Sequence, residues 1–141
     1  MKEQIETLAR LASLRGSRVQ EMLGRVNYQR NLCQRYRNNI TGLTRLCGFS
    51  LPVNTSLQRS NQQQYKVTLY KMLELQRREL GVAEQMLARI QGELLQAMRN
   101  EKVITQLIDS KMGQWQELLA RQEQKIQDGL AAQAWWRAQV S

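Results

Sequence analysis

Histidine is absent from the 141 residues, and cysteine occurs only at Cys33 and Cys47. Without an imidazole there is no Ser-His-Asp triad, no HExxH zinc site and no switch that titrates near neutral pH. Two thiols do not complete a four-ligand zinc site. On one continuous helix they would lie about 21 Å apart, far beyond the roughly 7 Å reach of a disulfide. Two free thiols predict a reducing compartment. Among the carboxylates, Glu74, Glu79, Glu84 and Glu93 alternate with Arg77, Arg78 and Arg89. That pattern suits a helix surface laced with ion pairs, not two carboxyls poised for acid–base work. No Gly-rich phosphate-binding loop pattern occurs. The residues predict no enzyme, no metal and no cofactor.

Binding chemistry is better represented. The formal net charge is +9. Its placement is uneven, because no acidic residue occurs between Glu21 and Glu74, while Arg25, Arg30, Arg35, Arg37, Arg45, Arg59, Lys66 and Lys71 fall there. A stretch without carboxylates forgoes the i,i+4 pairs that would support a helix, so it predicts an electropositive surface for an acidic partner. Tyr28, Tyr36, Tyr65 and Tyr70 share this stretch. Tyr36 and Tyr65 fall on apolar stripes and are expected to pack across from each other. Tyr28 and Tyr70 lie off the stripes, where Arg with exposed Tyr is interface chemistry. The aromatics are too sparse for a base-stacking platform, so nucleic acid is not expected as a partner.

The elements that hold these residues are helices. Gln alone accounts for 20 residues, and Leu, Arg, Ala, Glu and Met are plentiful, all straight-chain or small helix formers. The single cluster of turn residues is CGFSLPVNTSLQRSN, residues 47–61, around the only proline, Pro52. Gly48 is a candidate for the residue that ends the first helix, and Asn54, Thr55, Ser56 and Ser60 are candidates to cap the second. The expected organisation is one coiled-coil domain over 1–141: a helix at about 3–47, a turn at about 48–56 and a helix at about 57–138. The first helix carries the stripe Ile5, Leu8, Ala12, Val19, Met22, Val26, Cys33, Tyr36, Ile40, Leu43 and Cys47. The second carries Tyr65, Leu69, Met72, Gln76, Leu80, Ala83, Leu87, Ile90, Leu94, Ala97, Glu101, Ile104, Ile108, Met112, Trp115, Leu119, Gln122 and Ile126. Steps of three and four over so many turns predict an all-α fold, a long antiparallel two-helix coiled-coil hairpin with the second helix overhanging. If pairing starts at the turn, residues from about Lys102 onward have no intrachain partner. The stripe Ile104, Ile108, Trp115, Leu119 and Ile126 then calls for another covering surface. Trp135 and Trp136 lie near the end of this stretch. The N-terminal residues have early acids and no apolar core, so they predict no signal peptide, and no stretch is apolar enough to span a membrane.

Four segments carry a resemblance: YRNNI at 36–40, QQQYKVTLYKMLELQ at 62–76, AEQMLARIQGELLQAMR at 83–99 and QWQELLARQEQKIQDGLAAQAW at 114–135. Together with the turn position and the length, they resemble the flagellar export protein family FliJ. The layout is also similar to the stalk proteins of virulence type III secretion systems. The resemblance implies a helical hairpin in the centre of a hexameric export ATPase, at the cytoplasmic face of the inner membrane. It implies partnership with the membrane export gate protein and with export chaperones. It carries the gate contact onto Leu32, Tyr36, Tyr65, Leu69 and Met72, the turn end of the hairpin, where Arg37 of the basic stretch is a further candidate for gate or chaperone binding. At Met72 the family more often has a small residue. The overhanging stripe, Ile104, Ile108, Trp115, Leu119 and Ile126, is then expected to enter the ATPase ring. The alternatives are a virulence stalk and a coiled-coil scaffold that homodimerises through residues 102–137. A basic nucleic-acid-binding hairpin is a third class, with strongly salt-dependent DNA affinity as its mark.

Overall fold

A computed structural model describes Met1–Val140, which form two α-helices and, among the described residues, no strand. Helix α1 runs Lys2–Gly48 and helix α2 runs Ser56–Val140. They pack against each other as an all-α hairpin.

The connection explains its own ends. Gly48 does not adopt a left-handed conformation, so it is not the expected C′ residue. Instead Phe49 N–H closes onto Leu46 O at 3.2 Å, a tightened last turn. Of the four capping candidates, Thr55 takes the role. Its Oγ1 accepts from Gln58 N–H at 3.1 Å, and Gln58 Oε1 accepts from Asn54 N–H at 2.9 Å. This is a T-x-x-Q capping arrangement in which Thr55 satisfies one orphan amide of the first turn and Gln58 holds the residue before the cap.

The chain divides into two compact units, Val19–Gln96 and Met1–Arg18 with the segment from Ala97 onward. In the first unit the connection does not jump straight across to α2. It runs back along the first turns of that helix: Lys66 Nζ donates to Ser50 Oγ at 3.2 Å, and Leu51, Pro52 and Val53 share a groove with Gln58, Asn61, Gln62 and Tyr65. Extended chain covers up to about 3.3 Å per residue against 1.5 Å in a helix, so a few residues climb several turns. Helix pairing therefore starts near Lys66, not at residue 57. Its rungs include Asn39 Nδ2 to Gln76 Oε1 at 3.1 Å and Gln29 Nε2 to Ala83 O at 3.1 Å. The core is a narrow seam of Val19, Met22, Val26 and Cys33 from α1 with Leu69, Leu73, Ala83 and Ile90 from α2. Buried Gln29 sits within it.

The second unit is thinner. Ala97 is buried, while Ile5, Leu8, Leu11, Ala12, Ile104, Ile108, Lys111 and Trp115 are half-buried. Gly16 faces Glu101, whose Oε1 would lie 3.5 Å from a Cβ built there. Glu3, Gln4, Thr7 and Leu8 line a groove with Leu107 and Lys111. This corrects the expectation that α2 lacks a partner from Lys102 onward. The climb of the connection shifts the partners of α1 further along α2, so the start of α1 reaches Leu107 and Lys111. Every described residue from Gln116 to Val140 is exposed, and the overhang begins there.

Candidate partner-binding surfaces

At the connection end, the six residues expected to meet a partner do not form one face. Leu69 is in the core, and Leu32 and Tyr36 are half-buried further along α1. Tyr65 and Met72 are 54% and 49% exposed. The seam takes Leu73 where the sequence reading placed Met72, and Tyr65 lines the groove under the connection instead of packing across from Tyr36. Residues 72 and 73 are both large and apolar, but only Leu73 continues the alternating steps of four and three through Leu69, Gln76, Leu80, Ala83, Leu87 and Ile90. Arg37 is not a free cation: its Nη2 pairs with Glu84 Oε1 at 3.1 Å.

The electrostatics of this end follow from which cations α2 can answer. Arg25 lies 3.9 Å from Glu93 Oε2, and Arg37 is paired with Glu84. Both acids come from the part of α2 where carboxylates resume. Arg30, Arg35, Arg45, Arg59 and Lys71 are exposed and form no ion pair among the described residues. Tyr28 and Tyr70 are exposed, as the off-stripe reading expects. The structure adds three residues that the sequence reading passed over. Phe49, Leu51 and Leu57 are 68%, 75% and 72% exposed, around the connection. Their signal was available, because large apolar residues inside a cluster of Gly, Ser, Pro and Asn have no heptad position to occupy.

The second surface is the far part of α2. Ile104, Ile108 and Trp115 are half-buried within their unit, so they are only partly open to another molecule. Leu119 and Ile126 are exposed, and so are Leu118, Leu130, Trp135, Trp136 and Val140. Arg121 Nη2 pairs with Glu117 Oε1 at 2.8 Å on the same stretch, an i,i+4 pair that supports a solvated helix. Among the described residues no group of His, Cys, Asp and Glu has the geometry of a metal site, and no helix is long and apolar enough to cross a membrane. Cys33 is buried and Cys47 half-buried, both as free thiols.

These surfaces are suited to binding other proteins or charged surfaces. Comparison with curated proteins and with solved structures gives no match. The family model described as Flagellar FliJ protein matches residues 3–140, nearly the whole chain. The chain belongs to the flagellar FliJ protein family, whose members are non-catalytic components of the flagellar type III export apparatus.

Proposed function

We propose that the chain is the stalk of the export ATPase, with residues 116–140 seated in the hexameric ring and the connection end directed at the membrane export gate. On this reading it works at the cytoplasmic face of the inner membrane. Export chaperones bind near the connection, through exposed Tyr65 and Met72, with Leu69 holding the local geometry from the core. The observation that carries the reading is the exposed stretch of α2, with Leu118, Leu119, Ile126, Leu130, Trp135 and Trp136 all uncovered. Burying a side chain of that size is worth roughly 1.5–3 kcal/mol, so such a stretch favours a covering surface. The ring of a family partner supplies one.

The test is stimulation of the purified export ATPase. Full-length chain should raise its turnover, and Leu119→Ala with Ile126→Ala should remove most of that increase while helix content is kept. Undiminished stimulation by the double variant would exclude this stretch as the ring contact. The same exposed stretch also supports the scaffold reading, in which a second copy covers it. Sedimentation that shows a dimer of the full chain, lost in the double variant without any ATPase effect, would favour that alternative.

A further inference from the structure

We infer that the connection end of the hairpin docks directly on an anionic lipid surface, with Phe49, Leu51 and Leu57 entering the headgroup region and Arg45, Arg59 and Lys71 on the phosphates. This goes beyond contact with any protein of the export apparatus and does not rest on the ATPase reading. Two independent features on one end of the Val19–Gln96 unit support it. The first is shape and polarity. Phe49 and Leu51 lie on the connection and Leu57 at the start of α2, and all three are more than two-thirds exposed. They are held outward because Thr55 and Gln58 fix the cap and Lys66 ties Ser50 to α2. Leu51 borders the groove with Pro52 and Val53 yet stays 75% exposed, while Val53 is half-buried there against Gln62 and Tyr65. Apolar side chains that protrude beside cations can enter the boundary between headgroups and acyl chains, where buried apolar area and attraction to anionic lipids add.

The second feature is charge. Arg45, Arg59 and Lys71 are exposed and without ion pairs among the described residues, and no carboxylate occurs between Glu21 and Glu74. Arg45 lies in the last turn of α1 and Arg59 in the opening turns of α2, so the cations that flank the connection in the chain are unopposed by any carboxylate. One apolar contact or one basic patch holds a membrane weakly, and the two together hold it stably. Each cation brought to an anionic leaflet contributes roughly five-fold in affinity, and the contribution falls with salt. An acidic protein would satisfy the cations but leave the protruding apolar groups without a matching cavity. A nucleic acid would do the same.

The experiment is co-sedimentation of the full-length chain with vesicles of phosphatidylcholine alone and of phosphatidylcholine containing phosphatidylglycerol, at low and physiological salt. Binding is expected only to the anionic vesicles. Arg59→Glu with Lys71→Glu should weaken it roughly 25-fold or more. Phe49→Ser with Leu51→Ser should weaken it comparably while leaving the salt dependence of the residual binding in place. Circular dichroism of each variant verifies that the helices persist. If a variant loses helix, Leu57→Ser alone, outside the seam, is the substitute. Equal binding to neutral vesicles, no binding to anionic ones, or binding that both tip variants leave unchanged would overturn the inference. Tight binding of a DNA duplex or of polyglutamate without vesicle binding would also overturn it, and would identify an acidic polymer as the ligand of the basic end.

Discussion

At the residue scale, burial separates side chains that look alike in the sequence. Cys33 is fully buried between the helices, and Cys47 is half-buried at the end of α1. A thiol reacts as its thiolate and only where a reagent can reach it. Alkylation of the native protein should modify Cys47 first, with Cys33 reacting only on unfolding; mass spectrometry of a time course checks the order. Gly92 offers a second contrast. It lies inside α2 with a helical backbone, and nothing stands within 4 Å of a Cβ built there. Gly costs about 1 kcal/mol relative to Ala inside a helix. Gly92→Ala should therefore raise the thermal midpoint, measured by circular dichroism at 222 nm, with no change in partner binding.

At the element scale, the connection decides how much of α2 is covered. Because it climbs along the first turns of α2, the start of α1 reaches Leu107 and Lys111, and the uncovered stretch begins at Gln116. Two truncations should behave differently. Removing residues 116–141 takes away, among the described residues, only exposed side chains, so the thermal midpoint should move by little. Removing residues 102–141 strips the cover from Ile5 and Leu8 and deletes half-buried Ile104, Ile108 and Trp115. Partial burial of each is worth about 1 kcal/mol, so this truncation should lower the midpoint clearly and fray the start of α1. Hydrogen exchange at residues 3–12 reads the fraying directly. Equal stability of both truncations would mean that α1 gains nothing from Leu107 and Lys111.

At the scale of the whole molecule, the net charge of +9 resolves into cations that α2 answers and cations that it leaves open. Arg25 and Arg37 face Glu93 and Glu84, whereas Arg30 and Arg45 have no such partner among the described residues. Arg30→Glu with Arg45→Glu should weaken binding to gate and chaperone fragments several-fold in a titration at low salt. Stability should change by only about 0.5 kcal/mol per site, since exposed charges away from special features contribute little. Arg37→Glu is a different experiment, because it sets two carboxylates against each other. It should cost stability as well as binding, visible as a lower thermal midpoint.

The sequence by itself determined the helices, their antiparallel pairing and the place of the turn. Leu- and Gln-rich periodicity of three and four residues has few other solutions, and Pro52 amid Gly, Ser and Asn leaves one place to reverse the chain. It also determined the absence of any constellation for catalysis built on histidine. The path of the connection was decided only by the tertiary structure, because turn residues fix that a helix stops and not how far the next segment runs back along its neighbour. Leu73 over Met72 was already legible in the alternating steps of four and three, whereas the exposure of Tyr65 follows from that path. Buried Gln29, whose amide reaches Ala83 O, also depends on it. Heptad spacing leaves the surroundings of Tyr65 and Gln29 open, and only contact between the two helices in one register decides them.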